Sequence, residues 1–278
     1  MKDLSKFLVG TSVPFTPPVF SLNEFGRSEE NFKLMKNAGL NIVRNNTEFP
    51  FTDESMTEET AEYKQFKADV KLYAAHGIGT LGLFMNPGQY MADSEGNVSY
   101  VRHYPDWMGS YDDDKYYEIL AKVAEYIACD LKDDITYWQV ANEQDLTIFI
   151  GDMSHTQNER WLDVAARGIK KGNPNALCGI NLAGSAGGGA EYDENGNKKS
   201  IKQGVHPYAK ELVTKLYRCE NSPYDFIGLD GYFGSWSDGG PEDWIKYIDD
   251  AAEVSGKDVI IHEWGYSTLQ RGTPRPEE

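Results

Sequence analysis

Short runs rich in β-branched and apolar residues alternate along this chain with longer segments whose apolar positions recur every three or four residues. That alternation leaves few folds open, because a strand followed repeatedly by a helix builds a parallel sheet with helices on its outer face. The periodicity predicts seven strands: Phe7–Val13, Asn41–Asn45, Gly79–Met85, Thr136–Asn142, Leu177–Leu182, Phe226–Gly231 and Val259–Glu263. Between them it predicts helices over Glu29–Asn37, Glu58–Ala75, Tyr116–Cys129, Glu159–Lys171, Pro207–Tyr217 and Pro241–Val254. Gly39 and Gly77 follow the first two helices, where a left-handed residue ends a helix at least cost.

A regular helix-after-strand chain of 278 residues fits a single α/β domain over 1–278, a TIM (β/α)8 barrel. Such a barrel needs an eighth strand, yet the sequence runs only from Glu263 to Arg275-Pro276-Glu277-Glu278, so the barrel is expected to be incomplete at its C-terminus. The alternative is a seven-stranded or differently closed version. The segments leaving the strands' carboxyl ends, Asn86–Asp114 and Ala183–His206, are long, whereas the helix-to-strand connections are short. In a barrel the side with long loops is the working side. Gly187–Lys199 is glycine-rich and charged, and reads as a surface loop; no P-loop lysine and helix start follow it.

A formal charge of −17 has the wrong sign for a phosphate backbone or an anionic bilayer, so neither nucleic acid nor a membrane is an expected partner. No run approaches the ~20 apolar residues of a membrane span, and the first fifteen residues lack a signal-peptide core. The sequence therefore predicts a soluble protein, either cytoplasmic or a mature region freed of an export signal. Cys129, Cys178 and Cys219 are odd in number and widely spaced, which gives neither a disulfide framework nor a zinc site, and all three are expected to be buried. No metal or nucleotide motif is present, and the expected cofactor is none. Asp112-Asp113-Asp114 lacks the ligand spacing of a calcium loop and reads as a helix start.

Two apolar strands end in a carboxylate: Tyr137-Trp138-Gln139-Val140-Ala141-Asn142-Glu143 and Val259-Ile260-Ile261-His262-Glu263-Trp264-Gly265-Tyr266. Cleaving a glycosidic bond needs such a pair, one group to protonate the leaving oxygen and another to stabilise or capture the oxocarbenium-like carbon. Aromatics in the mouth loops suit the apolar faces of sugar rings, which makes Tyr90, Trp107, Trp236 and Trp264 candidate subsite walls, with loop packing an equal alternative. Asn86, at the end of the third strand, is a further candidate sugar ligand, and Trp138, inside its strand, reads as core. His76 reads as a helix-end residue, and His103 and His206 lie in mouth loops. His262 has the opposite strand parity to Glu263 and is expected to face the helix layer.

Trp138-x-x-x-Asn142-Glu143 and the strand ending Glu263-x-Gly265-Tyr266 resemble the fourth- and seventh-strand signatures of the clan A glycoside hydrolases, similar to the family 5 and family 39 types. The resemblance runs from the first strand to the last residue. It implies a retaining mechanism with Glu143 as acid/base, Glu263 as nucleophile and Asn142 on the sugar 2-hydroxyl. It also matches Arg44 to the clan's arginine near the nucleophile and Tyr232 to the tyrosine that hydrogen-bonds it. Where many members have histidine two residues before that tyrosine, this chain has Asp230, a candidate sugar ligand. The implied partner is an oligo- or polysaccharide with β-linkages. Two alternatives stay open: a carbohydrate-binding barrel without catalysis, and an unrelated barrel enzyme, disfavoured because no strand ends in a Schiff-base lysine or metal-ligand set.

Overall fold

The computed structural model describes residues 8–13, 15–16, 19–92, 97–183, 205–233, 243–265, 269–270 and 273–274. The chain folds into two compact units. Residues 1–87, 102–140 and 164–178 form the first, and residues 88–101, 141–163 and 179–278 the second. Trp236, Tyr266 and the Gly187–Lys199 segment lie outside the described residues.

All seven expected strands are present: β1 (Gly10–Ser12), β2 (Ile42–Asn46), β3 (Gly79–Phe84), β4 (Tyr137–Val140), β5 (Leu177–Gly179) with β6 (Asn181–Leu182), β7 (Phe226–Gly231) and β8 (Asp258–Trp264). The fifth run is thus split at Ile180. A five-stranded sheet takes β1 to β5 in chain order, and a three-stranded sheet takes β6, β7 and β8. The pairs β1–β2, β2–β3, β3–β4, β6–β7 and β7–β8 are parallel, as the intervening helices require.

Among the described residues, six helices of at least nine residues follow the strands: α1 (Glu29–Asn37), α2 (Ala61–Ala75), α3 (Asp114–Asp130), α4 (His155–Gly172), α5 (Pro207–Tyr217) and α6 (Asp243–Ser255). In α1 the Ser28 hydroxyl accepts the Asn31 N–H, satisfying one of the donors a helix start leaves open. Helix α2 begins three residues later than its periodicity suggests. Residues 51–59 instead close on themselves through a Phe51–Glu59 bridge, and Thr60 caps the helix. Gly39 and Gly77 adopt φ of +76° and +72° with open space around them, so their backbone conformation is what calls for glycine. The Asp113-Asp114 pair starts α3 as expected.

Side chains from α1, α2 and the strands form an apolar cluster in the first unit: Phe32, Met35 and Tyr73 against Val13, Val43 and Ile78. In the second unit helix side chains tie directly to strand backbone. Tyr217 accepts from Ile180 N at 3.0 Å and donates to Phe226 O at 2.8 Å, and Tyr247 of α6 donates to Leu182 O at 2.9 Å. Every residue of β7 is buried, whereas β8 alternates between half-buried and exposed, with Ile261 at 43%.

Three expectations need correction. The long Asn86–Asp114 segment contains a two-stranded sheet, Gly88–Ala92 with Val98–Arg102, which its irregular pattern concealed. Of the three cysteines only Cys178 is buried, on β5; Cys129 and Cys219 stand at helix C-termini and are exposed. Finally, His262 does not face the helix layer. The β7–β8 register slips between Leu229, which pairs with Ile261, and Asp230, which pairs with Glu263, so His262 is the extra residue of a bulge and simple alternation fails there.

Trp138 is fully buried, and its ring lies where a side chain on its register partner Gly82 would be: a Cβ there would sit 2.8 Å from the ring. Gly82→Ala is expected to destabilise the protein by about 1–3 kcal/mol through overpacking. Equilibrium unfolding in urea checks this, and an unchanged midpoint would contradict it.

Candidate active site

The strand β4 ends at Val140, and the next three residues turn the chain sharply. Ala141 and Glu143 have φ of +61° and +47°, left-handed values that cost non-glycine residues roughly 1–2 kcal/mol each. Such strain persists only when neighbours enforce it. Here the Glu143 N–H donates to Asn181 Oδ1 at 2.8 Å, and Leu146 N donates to Glu143 O at 2.9 Å. Gln144 donates to Asn142 O and Phe149 O, while Asn158 of α4 donates to Gln144 O at 2.9 Å.

Asn181 is the centre of this arrangement. Besides holding Glu143, it donates from Nδ2 to Asn142 Oδ1 at 3.0 Å and to Asp230 Oδ2. Asp230 has no exposed surface, and its carboxylate is met by that donor. One residue further along the turn from Gln144, buried Asp145 accepts the Ala183 N–H and an Nε2 contact from His206 at 2.9 Å. His206 also caps α5, accepting the Ala209 N–H. Asp145 therefore fastens the turn after β4 to the end of β6 and the start of α5.

Glu263 reaches the same unit from β8. Tyr232 donates to its Oε2 at 2.6 Å. The bulge at His262 is what pairs Glu263 with Asp230, and both ring and carboxylate are brought to the face that carries Asn181. A Cβ on Gly228 would lie 2.6 Å from His262 Cε1 and Nδ1 and 2.9 Å from Asn181 Cβ. The ring also meets Phe226 edge-on, with centroids 5.5 Å apart. Only glycine fits at 228.

The Tyr232 phenol is held well above its ordinary pKa. Burial is the largest cause, followed by its hydrogen bond to Glu263 and by the charges of Glu263, Asp230 and Glu143. Both expected catalytic glutamates thus act on one phenol. Of the remaining expected site residues, Trp264 follows Glu263 and is 76% exposed. Tyr90 donates to Asp152 at 2.8 Å.

Arg44, Asn86, His103 and Trp107 belong to the first unit. Arg44 lies on β2 between Ser12 and Leu81, Asn86 is buried, and Trp107 packs edge-on against Phe49. Burial holds the His103 imidazole below its usual value against the opposing pull of the Asn86 backbone. His76 ends α2, stacked on Phe32 and bonded to Leu72 O. Trp138 is core, as its strand position suggests. Sequence reasoning missed Asn181 and Asp145, and it missed Glu48, whose carboxyl is pushed up by burial and by the charge of Glu62. Asn181, next to last in its expected strand, carries no local signal of its own, whereas Asn142 is marked by its place in the family motif. Among the described residues no group of three or more His, Cys, Asp or Glu could hold a metal ion, and no helix is long and apolar enough to cross a membrane.

No protein-family model matches the chain, and no curated protein sequence does. Solved structures do. Xylanase B from Clostridium stercorarium F9 aligns over 98% of this chain and 75% of its own, with a TM-score of 0.63 and 15% identity. Xylanase XynB from Paenibacillus barcinonensis aligns over 99% and 74%, with a TM-score of 0.57 and 16% identity. The GH53 catalytic domain from Ignisphaera aggregans aligns over 86% and 61%, with a TM-score of 0.59 and 18% identity. The fold is the TIM barrel. These neighbours are clan A glycoside hydrolases, and at such identities the likeness establishes the barrel and leaves chemistry to the site.

Within the TIM barrel, Tyr232 is kept neutral by its surroundings. A phenol whose folded pKa is raised contributes stability that is intact below about pH 10, the ordinary tyrosine value, and is lost as pH rises through the folded pKa. Phenolate absorbance is therefore expected to titrate identically in the wild type and in Tyr232→Phe until the alkaline unfolding transition. Loss of one titrating tyrosine from the folded-state curve would contradict this.

Proposed function

We propose that this protein is a retaining glycoside hydrolase acting on β-linked glycans, with Glu143 as acid/base and Glu263 as nucleophile. The observation that carries this reading is the Tyr232 phenol, which bonds Glu263 and feels the charges of Glu143 and Asp230, so two glutamates from different strand ends share one site. The glycoside hydrolase names of the structural neighbours support the same class, and the strand motifs resemble families 5 and 39 within clan A.

In the first step the Glu143 carboxylic acid gives its proton to the glycosidic oxygen as the C1–O bond breaks, and a Glu263 oxygen forms a bond to C1. Tyr232, bonded to Oε2, orients the Glu263 carboxylate and favours attack through Oε1. In the second step the Glu143 carboxylate takes a proton from water, whose oxygen attacks C1 and releases Glu263. Two inversions leave the anomeric configuration unchanged. Asn142, beside Glu143, donates to the sugar 2-hydroxyl, and exposed Trp264 offers a plane for a sugar face.

On a panel of β-linked xylan, mannan, glucan and galactan oligosaccharides, Glu143→Gln is expected to lose about 10²–10⁴ in turnover, the usual contribution of a positioned proton donor. Glu263→Ala is expected to abolish turnover. Proton NMR of the first-formed product should show the β anomer. Full activity in either variant, or initial release of the α anomer, would sink the assignment. Saccharide binding with no product in the wild type would favour a carbohydrate-binding barrel instead.

A further inference from the structure

The direction of the amide groups around Glu143 can be deduced from partners that have only one possible role. A backbone N–H can only donate, so the Asn181 atom facing Glu143 N is its oxygen. The other end of that amide is consequently the NH2 group, and it faces the Asp230 carboxylate, which accepts. The same NH2 meets Asn142, so the Asn142 atom it meets is Oδ1. The end of the Asn142 amide turned away from Asn181 is consequently its NH2, a donor. Asn181 has little room to escape this arrangement, because its Cβ packs over Gly228, which also faces the His262 ring.

We propose that Asp230 and Asn181 are positioning residues that fix the polarity of Asn142 and hold the strained Glu143 turn. Their effect on specificity is to make the site require a hydrogen-bond acceptor on the sugar carbon next to the cleaved bond. The requirement for that sugar group rests on the glycosidase reading above; the positioning of the turn does not.

The test reverses the amide chain. In Asn181→Asp the new carboxylate faces Asp230 and Asn142 Oδ1, oxygen against oxygen, and kcat on aryl β-glycosides should fall about 100-fold with KM changed only a few-fold, the scale of a small misplacement of a reacting group. The double variant Asn181→Asp with Asp230→Asn restores a donor opposite position 181, so its melting temperature should return to within a few degrees of the wild type. Asn142 must then turn its NH2 inward and present oxygen to the sugar. The sugar 2-hydroxyl, which can donate as well as accept, must then reverse its bond to Asn142, and with that bond misdirected activity should stay about 100-fold down. A double variant that regains activity together with stability overturns the proposal.

If the double variant does not fold, Asn181→Asp is compared with Asn181→Ala. Reversed polarity should be worse than a missing group, and equal losses overturn the proposal. A separate arm needs no substrate: amide exchange at Glu143 should be slow in the wild type and fast in Asn181→Ala at equal global stability. Equal exchange rates overturn the positioning claim. A wild-type protein that cleaves nothing defeats the glycosidase reading alone.

Discussion

A carboxylate removed from water must be answered by a donor or by a counter-charge, and Asp230, with no exposed surface, is answered by the Asn181 amide. That one demand propagates. An amide has two unlike ends, so committing its nitrogen to Asp230 turns its oxygen toward Glu143 N, and the turn after β4 acquires the partner that offsets its left-handed backbone. The cost of burying one charge and the cost of bending one turn are met by the same side chain. A neutral residue at 230 would remove the demand and, with it, the reason for Asn181 to hold one orientation.

The bulge at His262 has comparable reach. Without the register slip, Glu263 would pair with Gly231 and fall on the face opposite Asp230. With it, Glu263 pairs with Asp230 and meets Tyr232, and the displaced imidazole fills the space over Gly228. The glycine, the histidine and the glutamate are one device spread over two strands, in which a backbone irregularity aims a side chain.

Strand and helix order were legible because burial imposes periodicity on any sequence that forms these elements, and α1 and α5 even end where their patterns do. Both glutamates were legible for a related reason: a charge terminating an apolar run contradicts the run and so stands out. The rest was concealed by physics that leaves no local trace. A bulge is a mismatch between two strands, so the parity argument for His262 had nothing in its own strand to warn against it. Asn181 looks like an ordinary strand end until Glu143, Asn142 and Asp230 are placed around it. The exposed positions of Cys129 and Cys219 reflect helix ends that face solvent, which a residue's average preference for burial does not foresee.

The left-handed backbone at Ala141 also bears on how this protein could be made more heat-resistant. Fully buried, with φ of +61°, it is a position where glycine would relieve roughly 1–2 kcal/mol of steric strain. The same change would release about 0.5–1 kcal/mol of extra freedom to the unfolded chain, leaving a net gain of about 0–1.5 kcal/mol. It would also soften the hinge on which Glu143 is mounted. A search for stabilising substitutions that scores backbone strain alone would rank this site highly, and would trade the rigidity of the turn for at most about 1.5 kcal/mol.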